Sequence, residues 1–246
     1  MRYKLTIEYD GTDYHGWQVQ PNALTLQAVI EEAVLKLTGE KIRVAAAGRT
    51  DAGVHACGQV ISFVLARAKP VDVVWRALNA LTPRDIAIRT AEIVDDDFDP
   101  RRAARRRRYI YRIWNERVPS PFWRRYAWHV PRQLDVDAMQ EAAAALIGEH
   151  DFTSFRAADC EAENPVRRVD RSDCVRDGSL IVYTIEATAF LKHMVRNIIG
   201  TLVDVGLHDR PSSSIVSILA ARDRNRAGAT APATGLCLVE VRYEDD

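Results

Sequence analysis

The stretch richest in groups that can do chemistry is AGRTDAGVHACG, from Ala47 to Gly58. Its three glycines permit positive φ and close backbone approach, so such a loop can press a ligand against the carboxylate of Asp51. Arg49 stands two residues before this aspartate, near enough to hold the carboxylate in its ionised form. An ionised aspartate is suited to act as a nucleophile or as an electrostatic stabiliser. The pattern is also typical of an Asp-x-Gly turn in which Asp51 bonds its own backbone.

The spacing of this loop excludes several other chemistries. The chain contains no GxxxxGK[ST] phosphate loop, and its glycines do not fit GxGxxG before a helix. It also lacks a GxSxG elbow. Because His15, His55 and Cys57 have no HExxH or CxxC context, we do not predict a metal site.

A second candidate is RRRRYIYRIWN, from Arg105 to Asn115. On a strand, Tyr109 and Tyr111 share one face while Arg112 and Trp114 share the other. Basic residues interleaved with aromatic ones are what a stacked base beside a phosphate requires. A central strand buried on both faces, preceded by a solvated arginine run, explains the same letters. The segment does not match the glycine-containing RNP1 pattern of an RNA recognition motif.

A third candidate is FLKHMVRNIIGTLVDVG, from Phe190 to Gly206, which has helical spacing. Its apolar residues fall on one buried stripe, and Arg196 lies far from that stripe on a face expected to be cationic and bare. A cation there can pair with a carboxylate or meet RNA, although a solvent-facing arginine on an ordinary amphipathic helix fits equally well. The fourth polar-aromatic group, DYHGWQ from Asp13 to Gln18, is read as a packed loop without assigned chemistry.

Charge along the chain is uneven although its sum is zero. The 34 basic and 34 acidic residues cancel, which argues against a uniformly basic nucleic-acid binder. Yet 29 of the 34 bases are arginine, and residues 101 to 132 hold eleven arginines and one acid. An arginine-rich genome accounts for the first count but not for the second. A neutral chain with one concentrated basic segment is expected to meet a polyanion on one face.

Composition bounds the class of protein. With 246 residues, 47% hydrophobic and 28% charged, the chain is long enough for one large or two small cores. No apolar run reaches the roughly 18 residues of a membrane helix, and the N-terminal MRYKLTIEYD does not resemble a signal peptide. The four cysteines are widely spaced. A reducing, cytoplasmic location is therefore expected.

Hydrophobic periodicity predicts the order β-α-β-β-α-β twice. In the first half the elements are a strand Lys4 to Tyr9, a helix that runs to about Leu37, strands Ile42 to Ala47 and Gln59 to Val64, a helix Asp72 to Leu81 and a strand Ile86 to Val94. Thr25 is expected to cap the first helix and Gly39 to end it. In the second half they are a strand Arg107 to Asn115, a helix Asp135 to Ile147, strands Arg168 to Arg176 and Leu180 to Thr188, a helix Leu191 to Gly206 and a strand Leu236 to Tyr243.

This duplication predicts an α+β fold of two ferredoxin-like half-domains, whose antiparallel sheets join into one extended sheet. Residues 1–100 are expected to form the N-terminal domain, which carries the Asp51 loop. Residues 101–246 are expected to form the C-terminal domain, which carries the Arg/Tyr strand and the Arg196 helix. The connections 120–132 and 152–165 are long enough to be functional loops.

Five segments together carry a resemblance to a known family. They are YDGTDYHGWQ (9–18), GRTDAGVHA (48–56), RRYIYRIWN (107–115), DFTSF (151–155) and FLKHMVRNIIGTLVDVG (190–206). In this order and over essentially the whole chain, they resemble the TruA family of tRNA pseudouridine synthases.

The resemblance implies an activity and a set of roles. It implies isomerisation of uridine to pseudouridine at positions 38 to 40 of the tRNA anticodon stem-loop, by a homodimer without metal or organic cofactor. Asp51 would be the nucleophile, Tyr109 the active-site tyrosine, Arg196 the basic partner of the aspartate, and Arg49 the residue that holds the flipped-out nucleotide. The role of Lys192 is left open.

The basic segment then supplies phosphate contacts that position the RNA without reading its sequence. The arginines expected to make these contacts are Arg105, Arg106, Arg107, Arg108 and Arg112. Attack of Asp51 on C1′, its addition to C6 and loss of a proton from C2′ all remain open. The alternatives are a non-catalytic RNA-binding module and a pseudouridine synthase acting on another RNA site.

Overall fold

A computed structural model describes residues 1–244 of the chain, which form ten strands and five α-helices. The strands are β1 (Arg2–Tyr9), β2 (Ala45–Ala46), β3 (His55–Val64), β4 (Ile86–Val94), β5 (Arg106–Trp114), β6 (Trp128–His129), β7 (Gly148–Asp151), β8 (Val166–Asp177), β9 (Leu180–Ala187) and β10 (Leu236–Arg242). The helices are α1 (Leu26–Thr38), α2 (Val71–Leu81), α3 (Val136–Ala144), α4 (Met194–Gly206) and α5 (Ser214–Ala221). The predicted α+β class is confirmed.

The chain divides into two compact units. Unit 1 comprises Met1–Arg105 and Cys237–Asp246, and unit 2 comprises Arg106–Leu236. Within residues 1–244, none of the helices combines the length and the apolar character needed to cross a membrane.

Unit 1 has the strand order of a ferredoxin-like unit. β1 pairs antiparallel with β4 on one side and with β3 on the other, and β2 pairs with β3, which gives the order β4-β1-β3-β2. One strand from the C-terminal end of the chain joins this sheet: Cys237 and Leu238 of β10 pair in parallel with His55 and Ala56 of β3. The sheet is therefore mixed rather than purely antiparallel.

Local sequence signals account for the elements that support this sheet. Side chains of β1 alternate between buried and half-buried, as the sequence alternation predicts. The Thr25 hydroxyl accepts the amide hydrogen of Ala28 at the start of α1, and Gly39 ends the helix with φ 77°. Both predicted caps are confirmed.

Unit 2 contains an antiparallel sheet in the order β5-β9-β8-β7, with β6 parallel to β5. Tyr109 of β5 lies opposite Ile185 of β9, and Tyr111 lies opposite Tyr183. Helix α3 packs against β8 and α4. The order β5-β9-β8 is the 1-3-2 portion of a second ferredoxin-like unit, in agreement with the predicted duplication.

Several boundaries differ from the prediction. The strand expected from Ile42 to Ala47 is reduced to two residues, and β3 begins at His55, so that His55–Gly58 lie in a strand rather than a loop. The short elements β6, β7 and α5 were not expected. The predicted domains 1–100 and 101–246 also differ from the observed units, because the pairing of β10 with β3 returns the end of the chain to unit 1.

Candidate active site

The loop that carries Asp51 connects β2 to β3 in unit 1, and its first residues are tied to β3. The amide of Ala47 donates to the carbonyl of Val60 at 2.8 Å. The side-chain amide of Gln59, which is fully buried, donates to the carbonyl of Gly48 at 2.8 Å. The loop therefore leaves the sheet from a fixed point.

A second loop, residues 10–18, closes over the Asp51 loop by backbone contacts. The amide of Trp17 donates to the carbonyl of Thr50 at 3.0 Å, and the amide of Gly53 donates to the carbonyl of Tyr14 at 3.2 Å. These two hydrogen bonds flank Asp51 on both sides along the chain. The DYHGWQ segment, to which the sequence assigned no chemistry, thus positions the candidate catalytic residue.

Glycine is required where these two loops touch. Gly16 has φ 85°, and a Cβ atom at this position would lie 2.8 Å from the carbonyl oxygen of Thr50. At Gly11 a Cβ atom would lie 2.0 Å from the carbonyl oxygen of Val54. No other residue allows the backbones to approach this closely. The glycines of YDGTDYHGWQ therefore set the position of the Asp51 loop.

A buried hydroxyl pair fixes the residue next to Asp51. The hydroxyl of Tyr9 lies 2.8 Å from Thr50 Oγ1, and both residues are almost fully buried. Burial raises the pKa of the Tyr9 phenol well above its usual value, although the hydrogen bond from Thr50 lowers it. Tyr9 is therefore a neutral structural anchor rather than a base.

His55, the first residue of β3, is also part of this framework. Its Nδ1 atom accepts the amide hydrogen of Gly11 at 3.1 Å and lies 3.1 Å from Asp10 Oδ1. The side chain is 7% exposed. His55 thus ties the start of β3 to the 10–18 loop. Among residues 1–244, no group of three or more His, Cys, Asp or Glu side chains could hold a metal ion.

Asp51 itself is half-buried at the start of a turn. Its carbonyl accepts the amide hydrogen of Val54 at 3.2 Å, and Gly53 in the turn has φ 78°. Arg49, which the sequence places near enough to hold this carboxylate ionised, has an exposed side chain that forms no ion pair or hydrogen bond within residues 1–244. Thr50 points inward to Tyr9, and Arg49 is left in solvent.

In unit 2, Tyr109 and Tyr111 share one face of β5, as predicted, and this face is buried. The exposed fraction of the Tyr109 side chain is 8%, and the ring of Phe190 meets it edge-on with centroids 5.1 Å apart. Tyr111, two residues further on the same face, is fully buried and donates its hydroxyl hydrogen to the carbonyl of Pro232 at 2.8 Å. Burial raises the pKa of Tyr111 far above its ordinary value, against the opposing effect of the Arg196 guanidinium.

Arg196 lies in the first turn of α4 and is anchored twice to residue 231. Its Nε donates to the carbonyl of Ala231 at 2.8 Å, and its carbonyl accepts the amide hydrogen of Ala231 at 3.1 Å. The predicted apolar stripe of α4 is buried, as expected. The opposite face is not bare, however, because a Cβ atom at Gly200 would lie 1.7 Å from the carbonyl oxygen of Ala229. The segment 227–231 covers this face and directs Arg196.

The arginines predicted to contact phosphate have different environments. Arg106 forms an ion pair with Asp170 at 2.5 Å, and Arg108 forms one with Glu186 at 2.8 Å. Arg107 is 9% exposed and donates to the carbonyl of Thr188 at 2.8 Å. Arg105 is exposed, and half-buried Arg112 makes no ion pair or hydrogen bond through its side chain within residues 1–244.

The structure therefore groups the candidate residues as follows. Asp51 and Arg49 belong to unit 1, where the 10–18 loop frames them. Tyr109 and Arg196 belong to unit 2. Tyr111, on the same strand face as Tyr109, interacts electrostatically with Arg196. Its hydroxyl donates to the carbonyl of Pro232, next to the Ala231 that anchors Arg196. Sequence reasoning missed the positioning roles of Tyr9, Gly16 and Tyr111, although each lies within a segment that carried the resemblance.

Comparisons with known proteins show the family to which the chain belongs. A family model described as tRNA pseudouridine synthase matches residues 5–101 and 142–244. The tRNA pseudouridine synthase A of Myxococcus xanthus is 52% identical over 246 residues, which cover 99% of this chain and 92% of that protein. The same-named protein of Pelobacter propionicus is 48% identical over 240 residues, which cover 98% of each chain. The predicted resemblance is confirmed: the chain belongs to the TruA family of tRNA pseudouridine synthases, which are isomerases.

Proposed function

We propose that this chain converts uridine to pseudouridine at positions 38 to 40 of the tRNA anticodon stem-loop, with Asp51 as the catalytic carboxylate. The observation that carries the proposal is the framing of the Asp51 loop by the 10–18 loop. Hydrogen bonds on both sides of Asp51 and the glycine contacts of Gly11 and Gly16 hold the backbone of this half-buried residue in one position. Preorganisation of this kind is what a group that attacks or stabilises a reacting centre requires.

The reaction is an isomerisation in which atoms and electrons balance. The bond between N1 and C1′ breaks, the base turns, and a bond between C5 and C1′ forms. The proton on C5 leaves, and N1 gains one, so no oxidant, reductant or nucleotide is consumed. The Asp51 carboxylate is suited to attack C1′, to add to C6 or to accept a proton from C2′, and it can also accept the proton from C5.

The remaining candidate residues bind the substrate in this proposal. Tyr109 stacks on the uracil and excludes water from the detached base. Arg196 supplies positive charge from a guanidinium that the Ala231 carbonyl orients. The uridine lies within a stem and must flip out, which costs a few kcal/mol of unstacking. Arg49, whose side chain is exposed, is the residue that braces the vacated space.

Phosphate contacts complete the proposal. Arg112, with no side-chain partner in the described part of the chain, is available to bind RNA without first breaking a contact, and the exposed side chain of Arg105 is placed to reach phosphate as well. Arg106 and Arg108 must share their charge with Asp170 and Glu186. Arg107 serves phosphate binding indirectly, by fixing β5 to the carbonyl of Thr188.

The proposed position is tested with tRNA transcripts that carry tritium at C5 of uridine. Wild-type protein should release tritium from a transcript with uridine at 38, 39 or 40. It should release none when these three positions are cytidine and the stem is repaired by matching changes. Release that persists without these uridines would place the reaction at another site, and binding without any release would indicate a non-catalytic RNA-binding module.

The proposal also includes a homodimer acting in the cytoplasm, as the resemblance implies. Sedimentation at protein concentrations used for turnover should give twice the mass of the chain. A monomer of full activity would contradict the dimer without affecting the role of Asp51.

A further inference from the structure

A loop of unit 2 presents aromatic and basic side chains that the proposed reaction does not use. After β5 the chain leaves the sheet at Asn115 and returns at β6, and we call residues 115–130 the tryptophan loop. Phe122 and Val118 in this loop are 85% and 69% exposed. Exposed apolar groups that cluster in one loop mark binding sites more often than single scattered ones do.

One buried side chain joins the two ends of the tryptophan loop. Asn115, 1% exposed, donates to the carbonyls of Val130 at 2.9 Å and Arg132 at 2.7 Å. The Oδ1 atom of the same side chain accepts the amide hydrogen of Leu134 at 3.2 Å and a guanidinium hydrogen of Arg176 at 3.0 Å. The two ends of the excursion are therefore pinned together. A preformed loop loses less conformational entropy when it binds a ligand.

A cleft of about 270 Å³ lies between this loop and the end of β5, and three tryptophans surround it. Trp114, Trp123 and Trp128 line it together with Arg124 and His129. The indole of Trp114 is fixed by a hydrogen bond of 2.9 Å to the carbonyl of Val118. All three tryptophans are half-buried, so part of each ring is available to a ligand.

Hydrogen-bond donors remain available in the cleft. The indole N–H groups of Trp123 and Trp128 have no hydrogen-bond partner within residues 1–244, and Arg124 is exposed and forms no ion pair there. The cleft is smaller than the roughly 300–1,000 Å³ sites that enclose drug-sized molecules. Its volume and its aromatic walls suit one planar ring, and its donors suit carbonyl and phosphate oxygens.

The positive charge around the cleft favours a polyanion over a second copy of this chain as its ligand. The segment 101–132 carries eleven arginines against one acid. In a two-fold symmetric contact between copies, the same patch faces itself, so these arginines would meet their equivalents. A polyanion, in contrast, is attracted to these arginines. Arginine beside tryptophan is also the combination on which nucleobases stack.

We propose that the tryptophan cleft binds an unpaired nucleobase of the RNA substrate, with the adjoining phosphate on Arg124. The inference rests on the proposed function in that the RNA is the tRNA on which the chain acts. It adds a second nucleotide contact, separate from the uridine to be isomerised. The cleft would hold the RNA by stacking, which depends little on sequence.

The test compares Trp123→Ala with Trp123→Phe, using two short single-stranded RNAs of equal length and phosphate number. One RNA has all its bases and the other is abasic at each nucleotide. Trp123→Ala should bind the first RNA about tenfold more weakly than wild type, since one stacked base is lost. Trp123→Phe, which retains an aromatic face, should keep most of the affinity. Wild type and Trp123→Ala should bind the abasic RNA equally.

Two further variants control for folding and for charge. Trp75→Ala removes another tryptophan, 41% exposed on α2 of unit 1, and should leave RNA affinity unchanged. Arg124→Gln alters an exposed side chain and should lower the salt dependence of binding by about one phosphate contact. If Trp123→Ala fails to fold, Trp123→Leu, which fills space without stacking, takes its place in the comparison. The salt dependence of RNA binding by Arg124→Gln tests the phosphate contact in either case.

The contradicting outcomes are distinct. Equal affinity of wild type and Trp123→Ala for the base-containing RNA would overturn the proposal. A shift of Trp123→Ala from dimer to monomer in light scattering, with equal losses for both RNAs, would make the cleft an interface between copies. If wild type binds base-containing RNA through Trp123 yet forms no pseudouridine in tRNA, the proposed function is wrong, while the proposal that the cleft binds a nucleobase is retained.

Discussion

The Asp51 loop and the tryptophan loop are stabilised in opposite ways. The Asp51 loop is held along its length by the 10–18 loop, by Gln59 and by the Tyr9 hydroxyl, and its neighbours are almost all buried. The tryptophan loop is joined at its ends by Asn115 and braced inside by short-range hydrogen bonds such as that of the Trp114 indole to Val118, and its Val118 and Phe122 side chains face solvent. The first arrangement fixes one carboxylate, and the second exposes several ring faces.

This difference corresponds to different physical demands. A reacting group must be held within a fraction of an ångström of its productive position, which requires constraints on every side. A stacking surface needs accessible area and a low cost of ordering, which requires only that the loop keep its shape. Variants that remove one constraint from each loop should therefore have unlike consequences.

The largest effect is expected for Gly16→Ala. A Cβ atom at this position would lie 2.8 Å from the Thr50 carbonyl oxygen, and φ 85° adds backbone strain. The Asp51 loop must move, and we expect kcat to fall about a hundredfold with little change in RNA affinity. The matched control is Gly39→Ala, with φ 77° and no atom within 4 Å. It should lower thermal stability while kcat is retained. Equal kcat in both variants would show that the loop contact has no catalytic role.

Asn115→Ala should act on binding and stability rather than on the isomerisation step. Without the Asn115 side chain, the carbonyls of Val130 and Arg132 and the amide of Leu134 lose their hydrogen-bond partner. We expect the free energy of unfolding to fall by roughly 2–4 kcal/mol and RNA affinity to fall about tenfold, measured by thermal melting and by filter binding. Unchanged affinity in a folded variant would mean that the loop is not held by its ends.

Tyr9→Phe removes one constraint of the Asp51 loop while the ring is retained. The Thr50 hydroxyl loses its 2.8 Å partner, a cost of about 1 kcal/mol, and kcat should fall severalfold. Because burial raises the Tyr9 pKa, the phenol stays protonated, and the pH–rate profile should keep its shape in the variant. The raised pKa stabilises the fold below pH 10, and this contribution is lost at higher pH as the unfolded phenol ionises. A changed acid or alkaline limb in the kcat profile would assign Tyr9 a direct role in proton transfer.

The smallest effects separate Arg112 from Arg108. Arg112→Gln should reduce the slope of log affinity against log salt by about one, because one phosphate contact is lost. Arg108→Gln removes the partner of Glu186 and should mainly lower thermal stability. If both variants and wild type give the same slope of log affinity against log salt, Arg112 does not contact a phosphate.

The sequence predicted the elements that local chemistry determines. The alternation of β1, the caps Thr25 and Gly39 of α1, and the buried stripe of α4 are all present where expected. Each depends on residues within a few positions of one another. The same holds for β4, whose observed bounds Ile86–Val94 are those predicted.

Contacts between distant residues were not predictable in this way. The run Arg106–Arg108 resembles a solvated charge cluster, but strand register brings Asp170 and Glu186 alongside it and buries Arg107. The two-residue strand β6 exists only because β5 supplies its partner. Likewise, the need for glycine at 16 becomes visible only when Thr50 lies against it.

The central claim is that the carboxylate of Asp51 carries out the isomerisation. Its most direct test is a single-turnover measurement of tritium release from tRNA by Asp51→Asn, with tRNA affinity measured on the same preparation. We predict that release falls by at least about a thousandfold while affinity stays within about tenfold of wild type. Release at a rate close to that of wild type would contradict the account.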